Sequence, residues 1–138
     1  MTDRTPKEIM EALDELLESL KDANERAPII VEGDKDVAAL RALGLTGEVV
    51  RLNQGRSLVV FCEGLASRCR EVIILTDWDR KGGQLCRHLT DYCDDNDVKY
   101  DLHFRMELAL LCKKEIKDVQ SLPRYVENLE KRIAAGDC

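Results

Sequence analysis

An α/β fold, with a mostly parallel four-stranded sheet in a Rossmann-like three-layer arrangement, is what the sequence predicts, and three observations predict it. Short apolar runs of strand length recur at residues 28–31, 48–52 and 71–75, and an alternating run follows at 98–103. Between them lie segments whose apolar residues fall at helical spacing. Strands that alternate with helices become parallel strands joined by right-handed crossovers. The first three runs each lead into a stretch rich in Gly, Asn or Asp, as loops at one edge of such a sheet do. Strand order is not encoded in this pattern.

The elements follow in order. Thr5-Pro-Lys-Glu8 is a capping box with Pro at the first helical position, so a helix starts there. Ile9, Leu13, Leu16, Leu17 and Leu20 make one apolar stripe on it, which suits a structural cover for the sheet ending before Pro28. Pro28-Ile-Ile-Val31 is the first strand and runs into Glu32-Gly33-Asp34-Lys35-Asp36, with Gly33 permitting a sharp turn or a close approach. The helix at 37–43 stops at Gly44. The second strand, 48–52, closes in Asn53-Gln-Gly55, and Ser57 caps a helix running to about Ala66. After the third strand a helix spans 83–95, with Leu85, Cys86, Leu89, Tyr92 and Cys93 inward. The fourth strand, 98–103, precedes an apolar helix from Met106 to Cys112 and a last helix carrying Leu122, Val126, Leu129 and Ile133.

With 138 residues there is length for one domain with a proper core and little room for two. The expected organisation is a single domain over 1–138, with a core at 27–103, an N-terminal helix at 4–22 and C-terminal helices at 105–135. Charged residues form 35% and aromatics 4% of a chain that is rich in aliphatics, which fits a globular rather than a disordered protein. A formal net charge of −6 argues against a nucleic-acid coat protein, whose affinity comes from cations on phosphates. It leaves room for an enzyme that meets phosphates through a bound metal and a local basic patch. No apolar run approaches the roughly 20 residues of a membrane span, and the polar N-terminus lacks a signal-peptide core, so the cytoplasm is the expected compartment. The six cysteines, at 62, 69, 86, 93, 112 and 138, include no Cys-x-x-Cys and read as small buried hydrophobes.

The chemistry concentrates in Thr76-Asp-Trp-Asp-Arg-Lys-Gly-Gly83. Asp77 and Asp79 stand where the third strand ends, at the edge where ligands enter an α/β sheet. Asp-x-Asp there suits a hard cation, because Mg²⁺ takes one or two carboxylates and leaves its other positions to water or phosphate. Glu32 lies at the carboxyl end of the first strand, on the same edge. Each acid also has a plainer reading. Asp34 caps a helix, Asp36 favours its dipole, Glu32 is a solvated loop residue, Asp79 is an N-cap and Asp77 an Asx-turn residue. Gly55, Arg56 and Ser57 at a helix N-terminus offer either a phosphate cradle or a simple strand-to-helix turn. Arg80 and Lys81 meet phosphates or solvate their loop, and Trp78 is a packing residue or a stacking platform. His88 and His103 read as surface or strand residues.

Together, Val31-Glu32-Gly33-x-x-Asp36 and Thr76-Asp77-x-Asp79-x-x-Gly82 resemble the two signature motifs of the toprim domain, in the right order and separated by a helix and a strand. That domain is shared by topoisomerases, bacterial-type primases, recombination mediators and two groups of nucleases. The resemblance covers about 27–103, and the whole chain is similar to small stand-alone archaeal toprim proteins, sometimes called primase-like. It implies that Asp77, Asp79 and Glu32 hold Mg²⁺, with Mn²⁺ as a substitute. It also makes Glu32 the general acid or base, Asp36 a supporting acid, and Gly33 and Gly82 the residues that shape the loops. Acids grouped around a metal can polarise a phosphoryl oxygen and activate a nucleophile, and mutual repulsion raises carboxyl pKa values toward neutrality. Asn53-Gln-Gly55 resembles the corresponding loop of the ribonuclease members. Trp78 stands where the family often has proline. None of Tyr92, Tyr100 and Tyr125 has the setting of a topoisomerase nucleophile, and no zinc module of the primase kind is visible. The resemblance therefore implies a Mg²⁺-dependent nuclease of RNA or DNA. A binding-only module within a larger protein assembly and a nucleotidyl transferase are the alternatives.

Overall fold

Thr5 caps the first helix in both directions, its N–H donating to Glu8 Oε1 (2.8 Å) and its Oγ1 accepting from Glu8 N (3.2 Å). From that start the computed structural model describes residues 4–52, 55 and 57–136. In chain order the elements are α1 (Pro6–Asn24), β1 (Ile29–Val31), α2 (Asp34–Ala42), β2 (Val49–Arg51), α3 (Leu58–Ala66), β3 (Glu71–Ile74), α4 (Arg80–Asp95), β4 (Lys99–Asp101), α5 (His103–Cys112) and α6 (Leu122–Ala134).

The four strands are all parallel, in the order β2-β1-β3-β4. From β1 the chain steps outward to β2, then jumps back over β1 to β3 and continues outward to β4. Because crossovers are right-handed, opposite steps put their helices on opposite faces. The core divides in that way. One cluster holds Ile29, Val31, Ile73 and Leu75 against α1, α2, α5 and α6, and the other holds Ile30, Val72 and Ile74 against α3 and α4. Central strands buried on both faces are aliphatic throughout, and Ile29, Ile30 and Val31 are fully buried. The layers are therefore helix, sheet, helix, as the sequence predicts.

Several element ends differ from expectation, for local reasons. The fourth strand is short because Asp101 Oδ1 accepts from His103 N (2.8 Å), a turn that makes His103 the first residue of α5. Helix α4 begins at Arg80, three residues early, because Asp79 is its N-cap. Gly44 takes φ +92° just beyond α2, a left-handed stop that favours glycine. Leu85 is half-buried but belongs to neither core cluster, unlike the inward placement its spacing suggests. Cys62, Cys86, Cys93 and Cys112 are buried and free, and Cys69 is free and half-buried; Cys138 lies outside the described residues. No helix among the described residues is long and apolar enough to cross a membrane.

Candidate functional site

The sheet reverses its direction of winding between β1 and β3, and the ends of those two adjacent strands open the crevice where α/β sheets bind ligands. Glu32 is the first residue beyond β1. Beyond β3 the chain keeps sheet-like pairing for one residue, Leu75 N donating to Ile30 O (2.8 Å), and then turns. Asp77 N donates to Glu32 Oε2 (2.9 Å), so the two strand ends are tied to each other through the acids themselves.

The loop that carries Asp77 is held from three sides. Thr76 is fully buried, and its Oγ1 donates to Gly82 O (2.9 Å). A Cβ on Gly82 would overlap the Asp77 carbonyl oxygen, so only glycine lets α4 start this close to the loop. From α5, Arg105 donates through Nε to Thr76 O and Oγ1 (both 3.1 Å) and through Nη2 to Asp77 O (2.8 Å). From the turn between α5 and α6, Val119 N donates to Asp77 Oδ1 (2.9 Å) and Lys117 O accepts from Trp78 N (2.9 Å). Ile116 O accepts from Trp78 Nε1 (2.8 Å), which makes Trp78 a half-buried packing residue and not a free platform.

Asp36 is 5% exposed and accepts from Gly33 N (3.0 Å), closing the first turn of α2. Burial raises its carboxyl pKa, hydrogen bonding to Gly33 opposes that, and the nearby Asp118 charge adds to it. Burial pushes the Asp77 carboxyl up to about 7, against the lowering effect of the Val119 N–H, and the charges of Glu32, Asp36 and Asp118 add to the rise. Asp79 is exposed, and its Oδ1 accepts from Gly82 N (2.7 Å) as the cap of α4. Of the sequence-predicted acids, the structure thus gathers Glu32, Asp36 and Asp77, while one oxygen of Asp79 serves the helix.

Glu32, Asp36 and Asp77 line an open cleft of about 620 Å³, together with Gly33, Lys35 and Lys81. Gly33 has an extended backbone (φ −156°) that any residue adopts, and no atom lies within 4 Å of where its Cβ would stand. Arg80 is exposed and outside the cleft lining. Ser57 Oγ accepts from Val60 N (3.3 Å) as the cap of α3, and Gly55 has φ +73°. Asn53, Gln54 and Arg56 lie outside the described residues. His88 and His103 are exposed.

The donor set suits Mg²⁺ on its chemistry. Val119 N and Asp77 N each occupy one oxygen of a carboxylate, and the second oxygens, Asp77 Oδ2 and Glu32 Oε1, accept nothing from the described residues. Among the described residues no group of three or more histidine, cysteine, aspartate or glutamate side chains is placed to hold a metal ion by itself. An open pair of carboxylates is what a magnesium ion shared with substrate phosphates requires.

Three participants escape a reading of the sequence: Arg105, Asp118 and the backbone N–H of Val119. For Asp118 and Val119 the sequence signal is Lys113-Lys-Glu-Ile-Lys117-Asp118, a charged interruption between two helices that looks like an ordinary connection, and Arg105 stands within α5 with no signal of its own.

A family model described as the toprim domain matches residues 27–111. A UPF0292 protein of Methanosarcina barkeri is 43% identical over 130 residues, covering 94% of this chain and 89% of its own length. A UPF0292 protein of Methanocaldococcus jannaschii is 34% identical over 119 residues, 86% of this chain and 93% of its own. A solved structure of a protein from Aquifex aeolicus superposes with a TM-score of 0.69 at 27% identity, over 79% of this chain and 96% of that one. Toprim domains bind Mg²⁺ and serve metal-dependent processing of nucleic acids. With both motif acids brought together at the switch point of an all-parallel sheet, and with relatives of this similarity, the chain belongs to the toprim domain family, alongside the archaeal UPF0292 proteins.

Proposed function

We propose that this protein is a Mg²⁺-dependent nuclease, of the ribonuclease-like toprim type. The observation that carries the reading is the tie between Glu32 and Asp77, 2.9 Å from carboxylate to backbone N–H, at the mouth of an open cleft. In this reading Glu32 and Asp77 hold the metal, Asp79 assists from the same loop through the oxygen that does not cap α4, and Asp36 is the supporting acid. When bound, the metal supplies polarisation of a phosphoryl oxygen and a nearby oxygen nucleophile.

The chain's own groups do the rest. Glu32, fixed at Oε2, presents its other oxygen either to the metal or to the reacting proton as the general acid or base. In the metal-free protein burial holds the Asp77 carboxyl up to about 7, so binding of the cation there displaces a proton near neutral pH. Lys81 and Lys35 line the cleft and offer positive charge to a phosphodiester.

The test is cleavage of structured RNA and of single- and double-stranded DNA with Mg²⁺ or Mn²⁺, comparing the wild type with Glu32→Gln and Asp77→Asn. Metal-dependent products that fall by at least about a hundredfold in either variant, with the fold intact, are the expected result. Equal products from wild type and Glu32→Gln would overturn the proposal. The net charge of −6 favours one rival in particular, a binding module that borrows cations from an assembly partner. No turnover on any substrate, with a partner retained through purification, would establish that rival. Incorporation of nucleotides in place of cleavage would mark a nucleotidyl transferase.

A further inference from the structure

We infer that the cleft takes one unpaired nucleotide, whose base lies on a wall of leucines while its phosphate faces the acids. The inference rests on the reading of Glu32 and Asp77 as a metal site that handles phosphate. It goes beyond that reading in naming the form of nucleic acid the cleft admits.

Leu52, Leu58 and Leu85 line the same cleft as Glu32 and Asp77. They come from three elements: Leu52 just past β2, Leu58 at the first turn of α3 and Leu85 on α4. Leu52 is 8% exposed and part of the core cluster under α3 and α4, and Leu58 packs against it, so the wall is the rim of that core, extended by Leu85, which is half-buried and joins neither cluster. Val59 and Val60, which continue the turn begun by Leu58, are 43% and 48% exposed. A site that met only a sugar–phosphate backbone would gain nothing from apolar side chains, since that backbone is charged and polar. Bases are the part of a nucleic acid with apolar faces. In a duplex those faces are covered by stacked neighbours, and they become available only when a nucleotide is unpaired or turned out of the stack.

Size and charge point the same way. The open cleft, of about 620 Å³, has room for one small ligand. Lys35 and Lys81 are the cations among its lining residues, beside the carboxylates of Glu32, Asp34, Asp36 and Asp77, so the lining carries too little positive charge for tracking along a duplex. The apolar wall, the acid pair and the lysines together match the three parts of one nucleotide.

The probes are adenosine 5′-monophosphate and ribose 5-phosphate, each with Mg²⁺, observed through the leucine methyl resonances of the carbon-13-labelled protein. Adenosine monophosphate is expected to move the Leu58 and Leu85 methyls upfield, in a saturable way, through the ring current of the base. Ribose 5-phosphate is expected to bind without that shift. Leu85→Ala should weaken adenosine monophosphate binding about tenfold and leave ribose 5-phosphate unchanged, with the melting temperature confirming the fold. A 12-nucleotide single strand should bind more tightly than the same sequence as a duplex. Leucine methyls that stay still under saturating adenosine monophosphate would overturn the inference, as would a duplex that binds as well as the single strand. Neither readout requires turnover. Failure of the nuclease reading appears in the cleavage assay, and failure of this one in the methyl spectra.

Discussion

Asp77 is the residue on which the most specific predictions turn. Its ordinary carboxyl value is 3.8, and in the folded protein burial first, then neighbouring acids, lift it to about 7. With the folded value above the unfolded one, the unfolded chain gives up the proton first. Stability of the metal-free protein therefore declines as pH rises from about 4 to about 7, and is level above that window. Asp77→Asn removes the penalty and keeps an acceptor for Val119 N. The expected outcome is a melting temperature several degrees higher than wild type at pH 8, about equal below pH 4, and a loss of metal-dependent activity. Because the metal competes with that proton, affinity for Mg²⁺ or Mn²⁺ should climb about tenfold per pH unit up to about pH 7 and then flatten, as titration calorimetry would read it. Gly82→Ala is the contrasting case. Its Cβ would overlap the Asp77 carbonyl oxygen, so chemical denaturation should show a loss of about 2 kcal/mol or more.

At the scale of elements, the strands and helices were legible because burial on both faces demands continuous aliphatics and amphipathic helices demand a stripe. Ile29, Ile30 and Val31 illustrate the first demand, and Leu13, Leu17 and Leu20 the second. The placement of Glu32 and Asp77 on one sheet edge was legible as well, since each comes shortly after a strand ends. Arg105 was not legible, because an arginine within Met106's helical run gives no sign of which backbone its guanidinium will meet. Asp118 and Val119 N–H were hidden for the same reason, since their role depends on how a connecting turn docks. Asp79 was read both as a metal acid and as an N-cap, and the geometry gives the cap directly. Arg105→Met tests the element-level contact: three hydrogen bonds to Thr76 and Asp77 are lost, at a cost of about 2 kcal/mol in denaturation, and metal affinity should fall at least about tenfold. Arg105→Lys should recover only part of this, since a point charge cannot reproduce a planar fork.

For the whole molecule, net charge and topology set the terms of binding. Under the proposed function, a chain of charge −6 that meets nucleic acid through this cleft should show a shallow salt dependence, the logarithm of affinity falling with the logarithm of salt at a slope of about 2 or less. Removing Mg²⁺ should weaken binding far more than doubling the salt. The arrangement around the switch point has a temporal side too. Both motifs and all four strands are complete by Asp101, yet the groups that hold Asp77 and Trp78 arrive only with Arg105 and the turn at 116–119. The family match itself ends at residue 111, before that turn. During synthesis the sheet can therefore assemble with Glu32 and Asp77 already tied to each other, before Arg105 and Val119 add their hold on Asp77. The geometry around Asp77 is therefore completed only when α5 and the turn at 116–119 dock.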